Sequence, residues 1–287
     1  MLNEQELATL RSIQDVELKI LAELDRICTK YNIQYALSGG TLLGAIRHKD
    51  FIPWDDDIDL DLKRADYYRL LKILPEELGD DFDFVNYDEF GDNFCDFIPR
   101  IFYKNCKVKN SFTLKDGQGN MANDPRMDTI FIELYCLHDT NRGITVKLQG
   151  FLVKVIYGLA MPHRNGTTDT SRYSALQKAQ TAVLGAVGRH IKMPTICKMY
   201  EKVVNMVPTG KGNAYFKPSV PLWVLDRNIF PKDWFDEFVR VPVRDKLIPA
   251  PKKYLDILKS LYGDWRQLPP EDKRMPDHFS LEDVEIW

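Results

Sequence analysis

The sequence predicts an α+β fold with a mainly helical C-terminal part. Three observations carry that prediction. Residues 4–31 place Leu7, Leu10, Ile13, Val16, Ile20, Leu24, Ile27 and Tyr31 at spacings of three or four, the stripe of an amphipathic helix. Between residues 35 and 137, short apolar or alternating runs recur between turns, as strands do. From 141 to 217 the apolar spacing returns to the helical period. A chain of 287 residues can bury a substantial core as one large domain or two small ones.

The elements follow in order. Asn32 ends the first helix. Residues 35–37 read as a strand, 41–47 as a helix, 57–62 as a strand, and 66–74 as a helix stopped before Pro75. Residues 82–87 and 99–103 are further strands, and 107–112 can continue the sheet. Residues 116–124 form a polar, Gly-containing loop. The clearest late strand is 127–137, MDTIFIELYCL. Glu133 interrupts its apolar core. An unpaired buried carboxylate costs about several kcal/mol, so Glu133 needs a cationic partner unless it lies on an exposed edge. Helical spacing returns in 146–161, 182–187 and 196–207. Pro249 and Pro251 precede a helix over 254–261, which Gly263 ends. On this reading 1–140 holds the N-terminal helix and the core, and 141–287 is a mainly helical region packed on it.

The chemistry concentrates between Ser38 and Asp61, SGGTLLGAIRHKDFIPWDDDIDLD. From Asp57 onward, acids alternate with apolar residues, the period of a half-buried strand. Asp55, Asp57, Asp59 and Asp61 then share one face. Like charges that close destabilise a strand pair by roughly 0.2–1 kcal/mol each. A divalent cation is the simplest offset, and Mg²⁺ is usually held by one or two carboxylates plus substrate phosphates. A solvated acidic turn after Pro53-Trp54 is the plain alternative. An EF-hand fits poorly, because Leu60 stands where Gly is needed and the closing Glu is absent.

At the other end, a strand leads through Ser38-Gly39-Gly40-Thr41 into the apolar run 42–46. Glycines there let backbone N–H groups approach an anion at a helix N-terminus. An ordinary strand-to-helix turn has the same look. Arg47, His48 and Lys49 can face the same anion, or sit simply as cations at a helix C-terminus. A phosphate cradle followed by an acidic strand fits metal-assisted phosphoryl or nucleotidyl chemistry.

GGTLLGAIRHKDFIPWDDDID resembles the signature of the LicD family, bacterial phosphocholine transferases related to fukutin-type phosphosugar transferases. Asp50 departs from it, standing where the family more often has Gly. The resemblance implies a nucleotidyltransferase-like mixed sheet flanked by helices. It makes Gly39-Gly40 the turn, Asp57 and Asp59 the metal pair, and Asp55 a third adjacent acid, and it gives Asp61 no role. Arg64-Ala65-Asp66-Tyr67 is similar to a family cluster in which Arg64 can reach phosphate. Arg100, near which the family carries a basic residue, has the same reading, with a plain surface cation as the alternative for both. The run 132–138 resembles the family's late acidic strand, with Glu133 for Asp, Cys136 for Pro and His138 for a second Asp. Glu133 is thus the third metal carboxylate, with Asp128 as its competitor. Tyr262-Gly263-Asp264 and Leu268-Pro269-Pro270 match the family's C-terminal end, and His278 stands where a later His often does.

The resemblance implies transfer of phosphocholine from CDP-choline to a hydroxyl of a cell-surface glycan or of a lipopolysaccharide or teichoic acid precursor. Mg²⁺, or Mn²⁺, is the implied cofactor. Asp55 is the candidate base, and His48 its rival. Phosphoglycerol, phosphoribitol or a phosphosugar would use the same core. A sugar-nucleotide glycosyltransferase also uses Asp-x-Asp, but needs a longer parallel βα array than the residues before Asp57 supply. A non-catalytic nucleotide-binding module would not need the intact acid pair.

Composition sets the remaining bounds. The net charge of −3 gives no general affinity for nucleic acid. It hides an asymmetry: residues 140–217 carry twelve Lys or Arg against Asp169 and Glu201, a net +10 that leaves −13 elsewhere. Such a region can be a solvated basic face, or can meet an anionic membrane or acceptor. Five scattered Cys without CxxC spacing read as reduced thiols of a cytoplasmic protein. No signal peptide and no spanning helix are expected. The expected location is therefore cytoplasmic, with the inner face of the membrane as an option.

Overall fold

The computed structural model describes residues 2–111, 120, 122–165, 173–218 and 227–287. Helix α1 (Glu4–Tyr31) starts at a capping box: Asn3 Oδ1 accepts from the Glu6 N–H, and the Glu6 carboxylate accepts from the Asn3 N–H. This satisfies two of the orphan donors of its first turn. It ends at Asn32, which takes the left-handed conformation (φ 50°) common at helix ends. Ile13, Val16, Ile20, Leu24 and Ile27 are buried along one stripe and join the main core, while Leu7 stays exposed.

The strands are β1 (Tyr35–Leu37), β2 (Asp59–Lys63), β3 (Phe82–Val85), β4 (Arg100–Tyr103), β5 (Cys106–Lys107), β6 (Phe131–Thr140), β7 (Ala214–Phe216), β8 (Ile229–Pro231), β9 (Phe238–Val243), β10 (Lys246–Pro251) and β11 (Glu285–Ile286). The main sheet is mixed, in the order β1-β2-β6-β4-β3. Only β2 and β6 run parallel within it. Strand β7 pairs with the C-terminal end of β6, and β8 with β7. All ten residues of β6 are buried, as a central strand flanked on both edges and covered by helices should be.

The other helices are α2 (Gly39–Arg47), α3 (Arg64–Glu77), α4 (Ile144–Ala160), α5 (Ala175–Gly188), α6 (Met193–Val204) and α7 (Tyr254–Tyr262). One core cluster reaches from Ile13 to Phe279 and joins α1, the main sheet and α7. A second packs α4 and α6 around Tyr87, Phe94 and Phe97, with Phe97 stacked on Tyr200 at 4.1 Å.

Several expectations are adjusted. Helix α3 runs past Pro75 to Glu77, because a proline in the final turn forfeits only one late hydrogen bond. Residues 125–128 form a 3₁₀ turn, so the late strand starts at Phe131 and extends to Thr140. Strand β5 leaves the main sheet and pairs with β11. Residues 108–111 do not continue the main sheet as expected and keep only a bridge from Asn110 to Phe279, while Phe112 and most of the 116–124 loop lie outside the described residues. The chain after residue 213 is not wholly helical: it returns to strand in β7 to β10. Against expectation, Ile144–His163 is long and apolar enough to cross a membrane by length and composition, although 39% of it is buried against the protein.

Candidate active site

Strand register places three residues in one row. Asp59 of β2 stands opposite Glu133 of β6, and Arg100 of β4 stands opposite Glu133 from the other side. The two acidic segments are therefore adjacent. Arg100 is buried, with one guanidinium nitrogen paired to Glu133 and two bonded to Asp96 at 2.8 and 2.6 Å. It is the cation that Glu133 requires. The expected phosphate contact of Arg100 is corrected accordingly, since its charge is spent between two buried carboxylates. Tyr135, two residues on and on the same face, donates its hydroxyl to Glu133 Oε2 at 2.6 Å. Asp128 lies in the preceding 3₁₀ turn, outside this row.

The glycine corner closes on the acids. Gly39 has φ +51°, and a Cβ there would come within 2.9 Å of Asp59 Oδ2. A Cβ on Gly40 would come within 2.9 Å of Asp55 Oδ2. Gly39 thus requires a residue without a side chain, while a Cβ at Gly40 would have to displace the Asp55 carboxylate. Thr41 is committed to the strand: its hydroxyl accepts from the Asp59 N–H at 2.9 Å. Ser38 is likewise engaged, with Lys217 Nζ donating to its Oγ at 2.5 Å. Any contact of these two side chains with phosphate would compete with those bonds.

Electrostatically the site is short of positive charge. Burial first, and then Asp55, push the Asp57 carboxyl well above its usual range. Burial, Asp57 and Glu133 do the same to Asp59. Burial, Asp56 and Asp59 lift Asp55 to about 7. Asp55 Oδ2 and Asp59 Oδ1 are buried and have no hydrogen-bond partner among the described residues. Buried carboxylate oxygens are normally paired or coordinated, so this donor set suits a hard divalent cation. Glu133 spends both oxygens on Arg100 and Tyr135, yet each retains a second lone pair.

The other expected residues separate. His48 Nε2 accepts from Arg47 Nε at 2.9 Å, and the ring lines a different pocket with Leu10, Gln14, Phe51 and Pro53, which contains none of the site acids. It does not stand as a rival base to Asp55. Arg47 donates to the Trp265 carbonyl at 2.9 Å and to that of Gln267 at 3.3 Å, while still feeling the charge of Asp55. Arg64 is corrected outright. It is buried and bonds Thr209, Asn205 and the Val207 carbonyl at 2.8–3.0 Å, with Asp139 at 3.5 Å. It fastens α3 to the segment after α6 and does not serve phosphate.

Four residues that local sequence gave little reason to select enter the site. Lys217 forms a buried ion pair with Asp61 at 3.1 Å and lies 5.0 Å from the Tyr135 ring. In the sequence it is one of twelve scattered cations. Tyr262 brings its hydroxyl 4.0 Å from the Gly39 Cβ position. Asp56 accepts from the backbone N–H groups of Asp277, His278 and Phe279 at 3.1, 3.0 and 2.6 Å. His278, visible before only as a tail histidine of the resembled family, sets Nδ1 3.3 Å from Asp56 Oδ1. Burial opposes its charge, but Asp56, Asp57 and Glu133 raise its pKa to about 11.

Comparison with known proteins finds relatives of the segment that builds this site. Residues 32–129 match the family model described as LicD/FKTN/FKRP, nucleotidyltransferase domain. The match spans the glycine corner and β2 and stops four residues before Glu133. The lipopolysaccharide cholinephosphotransferase LicD of Haemophilus influenzae is 27% identical over 94% of this chain and 96% of its own. The human ribitol 5-phosphate transferase FKRP is 45% identical over 47 residues, 16% of this chain and 10% of that protein. Residues 32–129 thus match a LicD/FKTN/FKRP nucleotidyltransferase domain, set within a likeness to a LicD cholinephosphotransferase that runs nearly end to end.

Proposed function

We propose that this chain is a LicD-family phosphotransferase that moves phosphocholine, or a related phospho-alcohol, from a CDP-activated donor to a hydroxyl of a cell-surface glycan or its lipid-linked precursor. The observation that carries the proposal is the row of Asp59 and buried Glu133 beside the Gly39-Gly40 corner, with Asp55 Oδ2 and Asp59 Oδ1 unpartnered among the described residues. The near full-length likeness to a lipopolysaccharide cholinephosphotransferase supports the phospho-alcohol class and the kind of acceptor.

Asp57, Asp59 and Glu133 are the residues that would hold Mg²⁺ or Mn²⁺. When bound, the ion would neutralise the diphosphate and stabilise the charge of the leaving CMP. The protein's own groups do the rest. The first N–H groups of α2, at Gly39, Gly40 and Thr41, have no intrahelical partner by helix geometry and present donors to phosphate oxygens. Asp55, its Oδ2 unpartnered beside Gly40, takes the proton of the attacking hydroxyl. Arg100 and Tyr135 hold Glu133 in one orientation.

The test offers CDP-choline, CDP-glycerol and CDP-ribitol to the purified protein with Mg²⁺, with and without lipopolysaccharide, and follows CMP release. Acceptor-dependent release from one donor is expected. Asp57→Ala and Asp59→Ala should fold yet lose turnover by at least about 10²-fold. Wild-type turnover in either variant removes the metal-pair assignment, and no release from any donor removes the proposal.

A further inference from the structure

Beside Asp57 the structure gathers groups from outside the matched residues 32–129. Glu17 of α1 is fully buried, and neither of its carboxyl oxygens has a hydrogen-bond partner among the described residues. Its direction is fixed by Gln14, one turn earlier on the same helix face, which donates Nε2 to the Asp55 carbonyl at 2.9 Å. Glu17 therefore faces the acidic loop, where Asp57 repels it most and His278 attracts it. From the far end of the chain, His278 joins Asp56 and Asp57 with ligand atoms within 4.8 Å of one another. Asp56 is the poorest ligand of the three, because both its oxygens already accept backbone N–H groups of the tail. Its place on Nδ1 of His278 is the one a carboxylate takes when it orients a metal-binding imidazole, leaving Nε2 for the ion.

We propose that Asp57 and His278 hold a divalent cation of their own, with Asp56 orienting the imidazole and the buried, unpartnered Glu17 carboxyl adding negative charge from the α1 side, beside the seat of Asp57 and Asp59. An imidazole nitrogen beside carboxylate oxygens suits a first-row ion such as Mn²⁺ better than Mg²⁺. The test loads the full chain with Mn²⁺ and reads affinity by calorimetry and nitrogen coupling by spin-echo resonance. Wild type should show imidazole nitrogen coupling, and His278→Gln should lose it. Glu17→Gln should weaken Mn²⁺ binding at this seat by at least about tenfold, without lowering the melting temperature of the metal-free protein. Asp59→Asn should keep the nitrogen signal, which separates this seat from the one proposed for phosphotransfer. Absence of nitrogen coupling in Mn²⁺-saturated wild type overturns the proposal, as does unchanged affinity in Glu17→Gln.

A separate observation carries a second inference. Gly188 is the only buried residue of α5, although its sequence is largely apolar: Leu176, Val183 and Val187 are 68%, 65% and 51% exposed. On α4, which packs against α5, Ile144, Leu148 and Phe151 form an exposed stripe at helical spacing. Arg142, Lys147, Lys154, Lys178, Arg189 and Lys192 are exposed on or beside these helices. Among the described residues of 140–217 the one acid is Glu201, turned inward to Tyr68, Tyr87 and Asn205.

Exposed apolar stripes flanked by cations complement an anionic membrane surface. We infer that the α4–α5 face docks on an anionic lipid bilayer, lying in its surface. Flotation with phosphatidylglycerol-containing vesicles should recover the protein, and neutral phosphatidylcholine vesicles should not. The Phe151→Glu, Val183→Glu double variant should bind at least about tenfold less, with unchanged thermal melting. Equal binding by both proteins, or by both vesicle types, overturns the inference. So does a lipid-free dimer that the same pair of substitutions dissociates, because the face is then covered by a second copy.

Discussion

Gly39 and Gly40 look equivalent in sequence and differ in what each must avoid. Gly39 combines a left-handed backbone with a carboxylate 2.9 Å from its missing Cβ, whereas Gly40 meets only the end of the Asp55 side chain. Gly39→Ala should therefore cost about 1–2 kcal/mol of stability from the backbone alone, and should push Asp59 from its place. Gly40→Ala should leave stability within about 1 kcal/mol, because the Asp55 carboxylate can swing aside. It should still lose turnover by displacing that group. Urea unfolding and CMP release, measured on both variants, check this. Equal destabilisation by the two would mean that the carboxylate contact, and not the backbone, sets the requirement for glycine.

At the scale of elements, the row β2-β6-β4 ties stability to the site. Arg100 is enclosed by Asp96 and Glu133 and stands 5.0 Å from the Phe131 ring. Arg100→Met removes the cation and leaves two buried carboxylates facing each other, so a loss of about 3–5 kcal/mol is expected. The companion Arg100→Met, Asp96→Asn, Glu133→Gln should recover part of it; no recovery would trace the loss to packing alone. The sequence made much of this row legible. Glu133 in an apolar run demands a cation, and the alternation around Asp57 and Asp59 marks a strand. Which cation answers was hidden, because pairing across strands leaves no local pattern. The strands β7 to β10 were hidden for another reason. Pro231, Pro242, Pro249 and Pro251 punctuate β8 to β10 and read as breaks, but β8 is an edge strand of the main sheet and β9 and β10 form a separate two-stranded ribbon, and such edges tolerate proline.

For the molecule as a whole, distant segments converge on the acidic loop. Gln14 bonds the Asp55 carbonyl, Lys217 joins Ser38 to Asp61, Arg47 holds the carbonyls of Trp265 and Gln267, and Asp56 holds residues 277–279. No window of sequence spans such separations, so the acids could be read while the groups that enclose them could not. The C-terminal tail gives this closure a test. Asp56 is 1% exposed and takes its N–H bonds from three consecutive residues, while Phe279 packs edge-on against Phe131 at 5.2 Å. In Asp56→Ala those N–H groups lose their acceptor, at about 1–3 kcal/mol for each one left buried. The tail avoids that cost by swinging into water, so its docking weakens while the sheet beneath stays folded. Lys273 and Arg274, just before the docked stretch, then become cleavable. Trypsin should cut there at least about tenfold faster in Asp56→Ala than in wild type, and Asp56→Asn, which keeps one acceptor oxygen, should fall between. Equal cleavage of all three proteins would show that the Phe279 contact and the β5–β11 pair hold the tail without Asp56.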